Sequence, residues 1–165
     1  MRILGIDPGY ERLGIAVLEK AAHSKGYSVA KKEDVIFSEC FKTSSKLDFG
    51  ERLVLIGVEI RKIIKKYRPE VLAIETLFLN TNQKTVMRVA EARGVVIYEA
   101  VQAGLKIFEA TPLQVKVATT GYGRASKEQM MKMVKILVNV EEKKTSDDEL
   151  DAIAIALTAF AYMRV

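Results

Sequence analysis

Residues 3–9 read ILGIDPG, an apolar run that ends in a carboxylate, a proline and a glycine. An apolar run stopped by Pro-Gly is a buried strand that turns away at once, which leaves Asp7 at the strand's carboxyl end. A strand that merely ends at solvent in a polar residue would look the same. The meaning of Asp7 therefore depends on whether other carboxylates have a reason to meet it.

Working outward, residues 2–6 and GIAVL at 14–18 read as strands joined through Pro8-Gly9, and a third strand lies within DVIFSECFKT, 34–43. Apolar residues at 49, 53, 56, 60, 63, 64 and 67 repeat with helical period, and Pro69 ends that helix. VLAIE, 71–75, follows as a strand suited to burial on both faces, and it too terminates in a carboxylate, Glu75. An alanine-rich helix from about Gln83 to Ala103, a strand over 106–111 and helices near 112–119 and 126–139 come next. The final helix starts near Ser146, where Ser146-Asp147-Asp148-Glu149 fits a capping box, and turns Leu150, Ile153, Ala154, Leu157 and Ala161 to a core. The order βββαβαβ followed by helices predicts an α/β fold. Its five-stranded mixed sheet should be antiparallel first and parallel later, with helices on both faces. Ligands gather at strand carboxyl ends in such sheets, and Asp7 and Glu75 both lie there.

The chain has 165 residues, 49% of them apolar, and shows no repeat or linker-like tract, so a single domain spanning 1–165 is expected. No run reaches the ~18 apolar residues of a membrane span and no signal peptide opens the sequence, so a cytoplasmic location and no membrane partner are expected. One cysteine, Cys40, and one histidine, His23, exclude disulfide frameworks, Cys/His zinc sites and most nucleophile-histidine arrangements. Any metal must be held by oxygen.

The net charge of +5 is modest, but its distribution is uneven. Lys116, Arg124, Lys127, Lys132 and Lys135 face only Glu128 in one segment, which runs into Asp147, Asp148, Glu149 and Asp151. Solvated helix faces are the ordinary account of such runs, and acids in a first helical turn complement the macrodipole. Asp148 and Asp151, three apart, nevertheless share a helix face beside two strand-end carboxylates. A cluster of that kind repels itself unless a hard divalent cation relieves it, which makes Mg²⁺ or Mn²⁺ the consistent choice. Two such ions suit phosphodiester hydrolysis, with the basic segment holding the polyanionic backbone.

ILGIDPG at 3–9, AIETLF at 73–78, ARGV at 92–95, VKVATTGYGRASKEQM at 115–130 and DELDAIAIALT at 148–158 closely resemble, in that order, the RuvC family of Holliday junction resolvases. The resemblance implies a ribonuclease H-like fold and a homodimer. It also implies Mg²⁺-dependent symmetric nicking of four-way DNA junctions in recombination and repair, and a RuvA-RuvB-type branch-migration partner. By motif, Asp7, Glu75, Asp148 and Asp151 match the family's catalytic, metal-ligating carboxylates. Phe78 matches an aromatic near the junction centre, where stacking on a base is reasonable, although a Phe after a strand is often core. Lys116 and Lys127 match residues that approach DNA phosphates, and Arg124 lies in the same stretch. The charged linker EEKKTSDD departs from the family pattern and leaves Asp147 beside Asp148; the spacing to DAIAIA favours Asp148.

Three rival readings are open on sequence alone. Actin-like ATPases share a Gly-Ile-Asp-x-Gly opening but need two related domains, and no Walker-type glycine loop occurs here. Another ribonuclease H-like nuclease, acting on RNA/DNA hybrid or pre-ribosomal RNA, would share the acids. A non-catalytic junction-binding protein would not need them.

Overall fold

A computed structural model of the chain describes residues 1–20, 33–77, 83–138 and 145–163. The elements follow as β1 (Arg2–Asp7), β2 (Arg12–Lys20), β3 (Glu33–Lys42), α1 (Phe49–Tyr67), β4 (Val71–Glu75), α2 (Gln83–Gln102), β5 (Lys106–Ala110), α3 (Pro112–Thr120), α4 (Lys127–Leu137) and α5 (Asp147–Met163). The strands form one five-stranded sheet in the order β3-β2-β1-β4-β5. β1, β2 and β3 pair antiparallel, whereas β4 runs parallel to β1 and β5 parallel to β4. The mixed sheet and the βββαβαβ order are those expected.

The differences lie at element ends. Asp7 belongs to β1 itself, because it still pairs with Gly14, and β2 already begins at Arg12. α4 begins one residue later than expected because Ser126 is its N-cap, accepting from the Gln129 amide. At α5, Ser146 and Glu149 exchange backbone and side-chain hydrogen bonds, the capping box foreseen in the sequence. Position 139, the expected end of α4, and residues 141–144 of the charged linker lie outside the described residues.

Side chains alternate along each strand, and this alternation builds two cores. Ile3, Ala16, Leu18, Val71 and Ala73 face α3, α4 and α5. Leu4, Ile6, Ile15, Val17, Leu72 and Ile74 face α1 and α2. Continuing the period, Asp7 and Glu75 fall on the α5 face, on neighbouring parallel strands whose preceding residues, Ile6 and Ile74, are paired. The register adds Arg12 and Gly14 of β2 and Ser38 and Cys40 of β3 to that face.

Apart from Asp151, α5 is buried from Leu150 to Ala159, which is why its sequence lacks the polar stripe of a surface helix, while Ala161, expected in the core, is exposed past the end of the covered stretch. It lies directly on the strands. A Cβ on Gly5 would stand 2.2 Å from the Ala152 carbonyl oxygen and 2.8 Å from the Ala156 Cβ, and one on Gly14 would stand 2.1 Å from the Asp148 carbonyl oxygen. Two glycines below and small alanines above thus permit backbone contact, and this contact sets the first turn of α5 beside Asp7. On the opposite side, Ala92, Val96 and Ala100 of α2 pack into the second core, while Ala90 and Gly94 are exposed. Among the described residues no helix is long and apolar enough to cross a membrane.

Candidate active site

Three elements deliver the carboxylates. β1 ends in Asp7, β4 ends in Glu75, and the first two turns of α5 carry Asp148 and Asp151. The end of β4 is anchored from α2: Arg93 donates from Nε to the Glu75 carbonyl oxygen at 3.1 Å and its guanidinium also pairs with Glu109 of β5. The Thr76 amide continues the pairing to the Ala110 carbonyl oxygen at 2.9 Å. Arg93 belongs to the ARGV stretch, whose role was not readable from the sequence.

Asp7, Glu75 and Asp151 line one pocket together with Lys116, Pro112, Val115, Met130 and Ile155. Its volume of about 140 Å³ is well below the roughly 300–1,000 Å³ of sites for organic ligands. It has room for several waters or for small hydrated ions.

Burial, and then the charges of Asp151, Glu75 and Asp148, push the Asp7 carboxyl up to about 7, with Lys127 opposing. Burial and the Asp151 charge raise Glu75, again against Lys127. Burial raises Asp151 as well, although it accepts a hydrogen bond from Lys127 Nζ at 2.9 Å. Asp147, exposed beside this pair, adds its negative charge to both Lys127 and Asp151. Lys127 thus lowers Asp7, Glu75 and Asp151 alike. The donor set is all oxygen and carries more negative charge than one ammonium can offset, which fits a hard divalent cation.

Asp148 behaves differently. It does not line the pocket. Its Oδ2 accepts from Arg12 Nε at 2.9 Å, from the Arg12 terminal nitrogen and from Cys40 Sγ at 3.4 Å. Burial works against the charged form, but these bonds and the guanidinium charge hold the carboxyl below its usual range. Arg12 was not singled out from the sequence, and Cys40 was noted there only as the single cysteine. The signal was there in the strand period, because Arg12 and Asp7 share a sheet face once their strands pair. Among the described residues no three His, Cys, Asp or Glu side chains are gathered closely enough to share one ion.

Lys116 reaches the pocket from α3, Lys127 sits at the start of α4, and Arg124 is exposed in the loop between them. Tyr122, 58% exposed in the same loop, offers an aromatic surface beside Arg124. Phe78 lies outside the described residues.

Residues 3–159 match the family model described as crossover junction endodeoxyribonuclease RuvC. A relative from Caldanaerobacter subterraneus subsp. tengcongensis, named crossover junction endodeoxyribonuclease RuvC, is 45% identical over 157 residues, covering 95% of this chain and 90% of its own. Among solved structures, Thermus thermophilus RuvC superposes with a TM-score of 0.86 at 34% identity, over 99% of this chain and 96% of that one. The structure of T. thermophilus RuvC in complex with Holliday junction substrate gives 0.87 at 34% identity, over 99% of this chain and 95% of that one. The fold is the ribonuclease H-like α/β architecture of these neighbours.

Proposed function

Because the chain belongs to the RuvC family of crossover junction endodeoxyribonucleases, we propose that it is a single nuclease domain, residues 1–165, that nicks four-way (Holliday) DNA junctions symmetrically. Its setting is recombination and DNA repair in the cytoplasm. The observation that carries this reading is the convergence of Asp7, Glu75 and Asp151 on one small pocket flanked by Lys116 and Lys127.

Asp7, Glu75 and Asp151, with Asp148 as the fourth ligand, would hold Mg²⁺, two ions per site, with Mn²⁺ able to substitute. Bound there, the metal supplies an activated water and offsets charge on the leaving oxygen. The chain's own residues do the rest. Lys116 and Lys127 hold the scissile strand's phosphates over the carboxylates, and Arg124 and Tyr122 extend that surface along the backbone. The burial of Asp7 and Glu75 at paired strand ends fixes their oxygens before substrate arrives, so little reorganisation is needed during reaction.

Symmetric nicking of a twofold junction calls for a twofold protein, and a homodimer is part of the proposal. Support comes from α2, where Met87, Gly94, Tyr98 and Val101 are exposed along the helix, and from exposed Val54, Leu55 and Val58 on α1. Tyr98→Asp is expected to yield a monomer in sedimentation and to uncouple the two nicks, measured on a supercoiled cruciform. A RuvA-RuvB-type motor as partner rests on the family alone.

The deciding experiment incubates the protein with a mobile four-way junction, linear duplex and RNA/DNA hybrid, with and without Mg²⁺. Mg²⁺-dependent cleavage of the junction alone is expected. Cleavage of the hybrid would favour another ribonuclease H-like nuclease, and tight junction binding without any cleavage would favour a binding module. Lys116→Ala and Lys127→Ala should each weaken junction binding and reduce the slope of log affinity against log salt by about one. An unchanged slope would count against their phosphate contacts.

A further inference from the structure

Three donors converge on one oxygen of Asp148, two nitrogens of Arg12 and the sulfur of Cys40. Oδ2 so engaged is not free for a cation, and the guanidinium charge beside it repels one from the whole carboxylate, its other oxygen included. Asp148, bonded in this way, is not among the residues lining the pocket that Asp7, Glu75 and Asp151 share. Arg12 itself is accessible, with its side chain 52% exposed at the first position of β2, on the sheet face where the carboxylates open. Its partner Asp148 is 24% exposed. The bond therefore joins a half-solvated guanidinium to a mostly covered carboxylate.

A guanidinium fork that binds a carboxylate through two nitrogens binds a phosphate in the same way, so a DNA backbone phosphate is a direct competitor for Arg12. Cys40 is a weak donor at 3.4 Å and cannot hold Asp148 alone. We propose that Arg12 is a positioning residue that latches Asp148 away from the cation site until a DNA phosphate takes its place. Release of Asp148 then completes the ligand set, so substrate binding and metal binding favour each other. This rests on the junction-nuclease reading above and adds to it a residue and an order of assembly.

The test measures Mn²⁺ affinity of the DNA-free protein by paramagnetic resonance, a readout that requires no cleavage. Arg12→Ala is expected to bind Mn²⁺ about tenfold more tightly than the wild type, because the competent arrangement no longer competes with the latch. In an Asp148→Asn background the same substitution should bring little or no gain, since the gain acts through that carboxylate. Junction affinity, measured in EDTA, should fall and its salt slope should shrink by about one. Unchanged or weaker Mn²⁺ binding by Arg12→Ala would overturn the proposal, and weaker binding would mean that Arg12 orients Asp148 for the cation instead. A full gain persisting without the Asp148 carboxylate would reduce Arg12 to a distant charge and overturn it equally. An unchanged junction salt slope would remove the phosphate exchange. Thermal melting of each variant confirms folding. Failure of the wild type to cut a junction would instead overturn the functional reading, so the two failures are distinct.

Discussion

Asp7→Asn is expected to abolish junction nicking, by ~10³-fold or more, and at the same time to make the protein more stable at pH 8. The first effect follows from the proposed cation site, which would lose a ligand to an ion supplying several kcal/mol of transition-state stabilisation, and each 1.36 kcal/mol is tenfold in rate. Junction affinity should stay within about twofold, because no phosphate contact is removed. The second effect follows from protonation. Folding raises the Asp7 carboxyl from its ordinary 3.8 to about 7, through burial first and its acidic neighbours second. The folded state therefore binds that proton more tightly than the unfolded chain, and its advantage is lost as pH rises from about 4 to 7. Above pH 7 the buried charge costs on the order of 2–4 kcal/mol, which asparagine avoids. In metal-free buffer the variant should melt roughly 5–10 °C higher than the wild type at pH 8 and close to it at pH 4. Retained nicking would remove Asp7 from the chemistry, and a melting difference independent of pH would remove the charge argument.

Gly14→Ala is expected to cost both stability and activity. The new Cβ would lie 2.1 Å from the Asp148 carbonyl oxygen and 3.1 Å from the Asp7 Cβ, and neither neighbour is a flexible side-chain end. Relief requires α5 to lift from β2, and overpacking of this kind costs roughly 1–3 kcal/mol and occasionally more. Because the first two turns of α5 carry Asp148 and Asp151, a shift near 1 Å separates them from Asp7 and Glu75. Misplacement on that scale costs about 100-fold in rate. The measurement is a melting curve together with single-turnover junction cleavage. Near-normal activity in a folded Gly14→Ala protein would show that the close contact of α5 with β2 does not set the site.

Much of this arrangement is legible in the sequence because it depends on period and punctuation. The continuous apolar runs of ILGID and VLAIE, the helical spacing after Phe49 and the Ser146-Glu149 box specify strands and helices locally, so the sheet and its helices follow. The four carboxylates stand out because each ends a strand or opens a helix. What is not legible is lateral. Arg12 precedes Asp148 by 136 residues, and nothing local to either residue announces the pair. Only the register of β1 on β2 and the seat of α5 across them bring the two together. The separation of Asp148 from the pocket shared by Asp7, Glu75 and Asp151 is likewise invisible in a motif that spaces Asp148 and Asp151 one turn apart. The small residues of α2 divide in a way that their spacing alone does not announce: Ala92 goes inward, while Ala90 and Gly94 go outward.

The seating of α5 on Gly5 and Gly14 also bears on how such a protein is made. Strands β1 and β2 leave the ribosome first, yet the helix that covers them is the last described element to emerge. Contacts so distant along the chain close late in folding, since the loop entropy must be met before they form. Until α5 docks, the exposed face of β1 carries Asp7 without Asp148 or Asp151. On the proposed assignment of the four carboxylates, a chain whose α5 has not docked lacks two of them, so the ability to cut DNA would arrive only with that docking step.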